Sequence, residues 1–195
     1  WWCSMSMDCI SRLLGMRMVK CVWLGLACEH QLLIWLKSLI SINVNFKQVG
    51  SDRLTNAISL LNNNNNFIIL DFGTATTFDV VIKRNYKGGI IAPGIKVSLA
   101  TLSDKASLIP RVNLKKIKKI IGVDTVSAVR SGFFWGYAGL IDNIINLISK
   151  ETGKSFKLVI TGGFSDLFKR SIKKKVIQDK NITIKGLIKI SKLIK

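Results

Sequence analysis

Residues 69–79 of this chain read Ile-Leu-Asp-Phe-Gly-Thr-Ala-Thr-Thr-Phe-Asp. The apolar run from Phe67 to Leu70 predicts a buried strand that ends at Asp71. Gly73 allows a sharp turn, and the threonines after it offer hydroxyls and backbone N–H groups to an anion. A second strand is expected from Thr77. The stretch predicts either an anion-binding turn between two strands or an ordinary hairpin whose aspartate accepts N–H groups of the turn.

Further elements follow from the apolar spacing and the Gly, Pro and Asn breaks of the chain. After an Asn run at 62–66, the hairpin strands at 67–72 and 77–83 and a turn at 85–88, we expect a third strand at 89–92. Helices are predicted at 53–61, 95–108, 124–149 and 164–176, short strands at 157–160 and 182–184, and a terminal helix to 194. Three antiparallel strands followed by alternating helices and strands indicate an α/β protein.

Five more motifs surround the hairpin in a fixed order. They are GSDR at 50–53, GGIIAPG at 88–94, IGVDT at 121–125, SGFFWGY at 131–137 and ITGG at 160–163. Together they resemble the type III pantothenate kinase family, which phosphorylates pantothenate with ATP in the first step of coenzyme A synthesis. The resemblance implies a ribonuclease H-like (actin-like ATPase) fold, with one nearly complete C-terminal half and a truncated first half.

The resemblance assigns Asp52 as the general base, because a primary hydroxyl is a poor nucleophile until a carboxylate accepts its proton. Gly50, Ser51 and Arg53 would line the pantothenate pocket with it. Arg53 would pair with the substrate carboxylate or with an anionic transition state. The local sequence alone favours another interpretation, in which Ser51 or Asp52 caps a helix.

The residues that the resemblance implies for ATP binding lie in two glycine-containing turns. Gly73 and Thr74 would contact the ATP phosphates, and Gly162 and Gly163 would face the adenine or ribose. Without the resemblance, the second pair is as well explained by a tight turn between a strand and a helix. Asp71 would hold a monovalent cation, potassium or ammonium, beside the magnesium that accompanies ATP.

Two more residues complete the candidate site. The resemblance implies that Thr125 binds pantothenate, although a helix cap is the alternative there, with Asp124 as the better capping residue. Asp79 is assigned no firm role, and one interpretation is a strand residue whose side chain turns outward.

The helix at 124–149 carries three glycines on one side, at 132, 136 and 139, which indicates close approach of another helix or a ligand. Family members are dimeric, so a homodimer is implied, and Trp135 and Tyr137 are expected in the core or at that interface.

The composition limits the possible partners. The chain has 195 residues, 48% hydrophobic and 21% charged, and a net charge of +19. Its lysines alternate with Ile, Leu and Val rather than with exposed aromatics, which favours solvated helix faces over a nucleic-acid surface. The four cysteines lie within the first 28 residues without CxxC spacing, so free thiols in the cytoplasm are expected and a zinc site is not. No membrane span is predicted.

Residues 1–42 are unlike the rest, and we expect the domain to occupy residues 43–195. The family's first half opens with a DxGNT-type phosphate loop, for which these residues offer no counterpart. This chain is therefore expected to be weak or inactive as a kinase. The alternatives are a kinase for another small hydroxylated substrate and a non-catalytic ligand-binding regulator of the same fold.

Overall fold

A computed structural model describes residues 39–45, 48–62 and 64–193 of the chain. Most of the segment at 1–42, whose sequence differs from the rest, lies outside this part. Of the described part, residues 39–42 are joined to the domain, because Ile40 is buried in its core and residues 41 and 42 pair with a strand of its sheet.

The described residues form one six-stranded sheet. Its strands are β1 (Ser41–Ile42), β2 (Asn66–Phe72), β3 (Ala75–Ile82), β4 (Asn85–Pro93), β5 (Lys157–Gly162) and β6 (Val176–Gln178), in the order β1-β4-β3-β2-β5-β6. Strands β2, β3 and β4 are antiparallel, whereas β5 is parallel to β2, β6 to β5 and β1 to β4. Three antiparallel strands extended by two parallel ones make up a ribonuclease H-like half, which confirms the predicted fold class.

The helices cover both faces of this sheet. They are α1 (Ser51–Ser59), α2 (Ile95–Lys105), α3 (Thr125–Thr152), α4 (Ser165–Phe168) and α5 (Ile182–Leu193). Helices α1 and α5 lie on one face, which we call the α1 face, and α2, α3 and α4 lie on the other, the α3 face. In the described part of the chain, no helix is both long and apolar enough to cross a bilayer.

Alternation along β2 separates two hydrophobic cores. Ile68, Leu70 and Phe72 point into the α3 face, where they pack with buried residues of α3 and α4. Phe67 and Ile69 point into the α1 face. Because side chains alternate along a strand, Asp71 falls on the α1 face, at the end of the strand.

The hairpin between β3 and β4 is tighter than the sequence predicted. Ile82 pairs with Asn85, so the turn is Lys83 and Arg84, and the third strand begins four residues earlier than expected. Lys83 has a φ of 57°, the only positive φ of a non-glycine residue in the described ranges. Further along, Val80 pairs with Gly88 but Val81 pairs with Tyr86, which leaves residue 87 as the extra residue of a β-bulge.

The C-terminal elements differ from two predictions. The helix expected at 164–176 is only the four residues of α4, and residues 176–178 form β6, which pairs in parallel with β5. The strand expected at 182–184 is the start of α5. There the Thr183 hydroxyl donates to the Asn56 amide oxygen at 2.7 Å, and Gly186 lies against the Thr55 carbonyl. These contacts with α1 outweigh the β propensity of the Ile-Thr-Ile run.

Candidate functional site

The predicted site residues gather where β2 and β5 end side by side. Asp71 pairs with Thr161, and Phe72 pairs with Gly162, so the turn after β2 and the turn after β5 adjoin. The N-terminus of α1 lies on the same face of the sheet, with Asp52 and Arg53 in its first turn. The arrangement brings the GSDR, DFGT and TGG motifs into one cluster.

Asp52 lies exposed at the second position of α1. Its Oδ1 accepts the backbone N–H of Arg53 at 2.8 Å, and no described residue donates to Oδ2. A β-carbon on Gly50 would lie 2.5 Å from Oδ1, so the glycine of GSDR is what allows the carboxylate to fold back there. Gly50 is the N-cap residue, and no side chain caps this helix. Neither Ser51 nor Asp52 is therefore the N-cap residue, although Asp52 does satisfy the otherwise free N–H of Arg53 in the first turn.

Arg53 reaches a partner that the sequence did not assign. Its Nε and Nη2 lie 2.8 Å and 2.6 Å from Oδ1 of Asp79, and the Tyr86 hydroxyl donates to the same oxygen at 2.6 Å. Asp79 is completely buried, so the interpretation that its side chain turns outward is wrong. Hairpin register explains this, because Val81 and Asp79 share the α1 face.

Asp79, Arg53 and Tyr86 form one network, and the pKa of each of the three side chains is raised. Burial raises the pKa of the Asp79 carboxyl, although the hydrogen bonds from Arg53 and Tyr86 act to lower it. Burial and the Asp79 charge both raise the pKa of Tyr86. Burial acts to lower the pKa of Arg53, but the Asp79 hydrogen bond and charge outweigh it, so the pKa is raised. Arg53 stays cationic, and its charge compensates that of Asp79.

Asp71 lies against the turn after β5. Gly162 has a φ of 85°, and a β-carbon there would come within 2.6 Å of the Asp71 Oδ1 and of the Phe72 backbone. Burial, followed by the charges of Asp52 and Asp79, raises the pKa of the Asp71 carboxyl to about 6. The charges of Asp52 and Asp79 thus act on Asp71, and of the three carboxylates it is Asp79 that contacts the Arg53 guanidinium.

This charge balance suits a bound cation. Three carboxylates and one arginine leave an excess of negative charge, and desolvation makes that excess costly. Among the described residues, no group of three or more His, Cys, Asp or Glu side chains could hold a metal ion. Asp71, which lies at the end of β2 beside the turn after β5, could supply one carboxylate oxygen donor for a cation. Hard cations accept oxygen donors of this kind.

The turn between β2 and β3, at residues 73 and 74, is exposed, and Gly94 packs against it from one side. Gly73 and Thr74 are exposed, and Gly94 packs so closely on them that a β-carbon would lie 1.9 Å from the Thr74 carbonyl oxygen. Thr76, whose hydroxyl was also a candidate donor, is completely buried. Thr77 pairs with Asp71 and shares its face. Among the candidate donors of this turn, those of Thr74 are exposed and without a partner in the described residues, whereas the Gly73 N–H donates to the Ala75 carbonyl oxygen at 3.1 Å.

The two glycines of the TGG motif differ. Gly162 is confined by Asp71 and Phe72, and its carbonyl accepts the Ser165 hydroxyl at 2.8 Å. A β-carbon on Gly163 would meet nothing within 4 Å. The tight-turn explanation holds for Gly162, whereas Gly163 leaves open backbone beside the cluster.

Thr125 begins α3 and is exposed. Asp124 is the N-cap residue, and its carboxylate accepts the Ser127 N–H at 2.9 Å while the Ser127 hydroxyl accepts the Asp124 N–H. The capping role thus belongs to Asp124, as one alternative predicted. No hydrogen bond among the described residues joins Thr125 to the carboxylate cluster.

The sequence missed two members of the cluster, Asp79 and Tyr86. The signal for Asp79 was available, since the hairpin places it two residues beyond Thr77, the partner of Asp71. The signal for Tyr86 was hidden, because the bulge changes its face.

Comparison with known proteins now adds a family. Residues 23–147 match the model of the family described as type III pantothenate kinase. A relative named type III pantothenate kinase from Pelagibacter ubique is 67% identical over 168 residues, 86% of this chain and 68% of that protein. Another from Paramagnetospirillum magneticum is 42% identical over 146 residues, 74% of this chain and 56% of that protein.

One solved structure supports the fold. A Campylobacter jejuni protein described as belonging to the Baf family of transcriptional activators superposes with a TM-score of 0.59 at 22% identity, over 82% of this chain and 71% of that one. The chain spans about two thirds of the Pelagibacter relative and a little over half of the Paramagnetospirillum one.

Proposed function

We propose that this chain, which belongs to the type III pantothenate kinase family, binds ATP and pantothenate at the Asp52–Asp71–Asp79 cluster and transfers the γ-phosphoryl group to the terminal hydroxyl of pantothenate. The observation that carries the proposal is the meeting of three separate motifs, GSDR, DFGT and TGG, at one end of the sheet. The family's kinase activity is what the sequence motifs predicted.

Asp52 is the proposed base. Its Oδ2 is free to accept the proton of the attacking hydroxyl, while the Arg53 N–H fixes the carboxylate through Oδ1. General-base catalysis of this kind contributes roughly 10² to 10⁴ in rate. Gly50, Ser51 and Arg53 flank the same carboxylate, which supports their assignment to the pantothenate pocket.

The nucleotide is proposed to lie across the two adjoining turns. Thr74 supplies an exposed hydroxyl and backbone N–H for the phosphates, and Gly73, whose own N–H donates to the Ala75 carbonyl oxygen at 3.1 Å, lets the phosphates approach the backbone closely. Gly163, next to Gly162, offers uncrowded backbone for the ribose or adenine. Magnesium accompanies the ATP. A monovalent cation, potassium or ammonium, is proposed at Asp71, where it would neutralise the excess of carboxylate charge.

A homodimer is the proposed assembly. On α3, a β-carbon at residues 132, 136 or 139 would meet nothing within 4 Å, and Trp135 is 38% exposed beside them. This face is open in the described chain, so a second copy could approach closely there. Thr125, at the start of the same helix, is proposed to contact pantothenate, and cytoplasmic localisation, the absence of specific nucleic-acid or membrane partners, and the 43–195 domain remain predictions.

The test is ADP release from magnesium ATP with and without pantothenate, in potassium buffer. We expect release that depends on pantothenate but is slow, because the sequence offers no counterpart of the family's first phosphate loop, and a fall of about 10²- to 10⁴-fold in kcat for Asp52→Asn. The matched control is Asp104→Asn, which makes the same change at an exposed carboxylate on α2, 3.6 Å from Arg111.

Each outcome separates the hypotheses. Release abolished by Asp52→Asn and kept by Asp104→Asn would support the kinase and its base. Release stimulated by another hydroxylated compound but not by pantothenate would replace the substrate. Binding of ATP and pantothenate without any release would favour the non-catalytic regulator.

A further inference from the structure

We infer that Asp79 is a positioning residue: it holds the Arg53 guanidinium near Asp52 with one edge free for an oxyanion of the bound substrates. The inference rests on the proposed function, because the oxyanion would be the pantothenate carboxylate or a phosphoryl oxygen of ATP. It assigns a task to a residue to which the family motifs gave none.

The contacts define which part of Arg53 is used. A guanidinium has five N–H donors in a planar fork. Asp79 takes the side edge, since its Oδ1 lies 2.8 Å from Nε and 2.6 Å from Nη2. Both N–H groups of Nη1 and one of Nη2 remain, and this end edge matches the two oxygens of a carboxylate or phosphoryl group.

The surroundings of Asp79 fix the guanidinium in place. The Tyr86 hydroxyl donates to the same Oδ1 at 2.6 Å, which prevents the carboxylate from rotating freely. A β-carbon on Gly89 would lie 2.5 Å from Nη2 of Arg53 and 3.0 Å from Oδ1 of Asp79. Any side chain at residue 89 would therefore occupy the space of the guanidinium.

A purely structural ion pair would be built differently. Asp79 Oδ2 is buried and accepts no hydrogen bond from the described residues. A buried carboxylate that serves only stability normally has both oxygens satisfied. Here Nε and Nη2 of Arg53 and the hydroxyl of Tyr86 all donate to Oδ1. This arrangement orients the guanidinium but leaves Oδ2 without a hydrogen bond from the described residues.

The test compares binding of three ligands by calorimetry: pantothenate, its alcohol analogue with a hydroxymethyl group in place of the carboxylate, and magnesium ATP. For Asp79→Asn we expect a loss of about 10- to 100-fold in affinity for the ligand whose oxyanion meets Arg53, as for a charge-assisted hydrogen bond. Loss for pantothenate but not its alcohol identifies the carboxylate; loss for ATP alone identifies the phosphoryl group.

Further variants distinguish a positioning role of Asp79 from a purely structural one. Asp104→Asn should bind all three ligands as the wild type does. Equal losses for all three ligands in Asp79→Asn, or no loss, would overturn the inference. If Asp79→Asn does not fold, Arg53→Lys replaces it, because lysine keeps the ion pair but has no second edge; unchanged binding by that variant would also overturn the inference.

A ligand-free measurement separates this inference from the proposed function. The Arg53 Nε–H resonance, assigned by its absence in Arg53→Lys, should be protected from exchange in the wild type and lose that protection in Asp79→Asn. If the wild type binds neither pantothenate nor ATP, the proposed function fails, and this resonance still decides the positioning role. Protection that persists in Asp79→Asn would refute it.

Discussion

The two faces of β2 differ most at its carboxyl end. On the α3 face, Phe72 stacks on Phe168 with ring centroids 5.4 Å apart, and Phe168 stacks in turn on Phe134. On the α1 face, the neighbouring residue is Asp71, with its pKa raised to about 6 by burial and two further carboxylates. One residue along the strand separates a favourable aromatic stack from a costly concentration of charge.

This difference shows how the fold divides its tasks. Among the described residues the α3 face buries the larger hydrophobic core, and burial of apolar surface is the dominant favourable contribution to folding. On the α1 face, Ile69 is the last apolar residue of β2: Asp71 follows it at the end of the strand, and Asp79 pairs with Ile69 in β3. Strain and charge at the site are tolerated because the opposite face of the same strands is firmly packed.

The largest expected effect is on the α3 face. Phe134→Ala would remove a fully buried ring that stacks on Phe168, and we expect the free energy of unfolding to fall by about 3 to 5 kcal/mol. Urea unfolding would measure it. At urea-free conditions where the variant remains folded, its Kd for ATP should match that of the wild type; a large change in that Kd would show that the faces are not independent.

The next largest effect is a difference in stability between alanine variants of two adjacent glycines at the site. Gly162→Ala would place a methyl group 2.6 Å from the Asp71 carboxylate at a positive φ, so we expect a loss of about 2 kcal/mol in stability. Gly163→Ala meets nothing within 4 Å and should cost under about 1 kcal/mol. Thermal unfolding of the two variants side by side would check the difference, and equal losses would contradict the geometry.

A smaller effect concerns the charge of Asp71. Its folded pKa of about 6 exceeds the ordinary 3.8, so the folded chain holds a proton that the unfolded chain has released. The stability contributed by that proton is present at low pH and is lost as the pH rises through 6. At pH 7.5 without potassium, we expect Asp71→Asn to be more stable than the wild type by about 2 kcal/mol.

A comparison of two salts tests whether Asp71 binds potassium. Potassium chloride at pH 7.5 should raise the Tm of the wild type more than N-methylglucamine chloride at equal ionic strength. Asp71→Asn should respond equally to the two salts. A potassium-specific rise that survives in Asp71→Asn would remove Asp71 from the cation site.

The smallest effect separates a helix cap from a binding residue. Asp124→Ala should lower stability by about 1 kcal/mol, because it removes the N-cap of α3. Thr125→Ala should change stability by less than about 0.5 kcal/mol, since Thr125 is exposed. The measurement that tests Thr125 is the affinity of the Thr125→Ala variant for pantothenate. An affinity equal to that of the wild type would leave Thr125 without a binding role.

The sequence predicted the strands of the site well because their apolar runs and glycine turns are local signals. Asp71 could be identified as a candidate for the same reason, whereas Asp52 is assigned through the resemblance of the GSDR motif, because its local sequence alone favours a helix cap. The contact between Arg53 and Asp79 could not be predicted, since it joins residues 26 positions apart and depends on strand register. The C-terminal errors have a similar origin: Ile182 to Ile184 alternate like a strand, but contacts with α1 decide for a helix.

The bulge in β4 makes the length of that strand as important as its composition. Tyr86 and Gly89 are three residues apart and would face opposite sides of a regular strand, yet Tyr86 pairs with Val81 and Gly89 with Asp79 on one side. Deleting the bulged residue 87 would rotate one of them away from Asp79 while leaving both residues in the chain. Homologues should therefore vary freely in the identity of residue 87 but keep the number of residues between the tyrosine and the glycine.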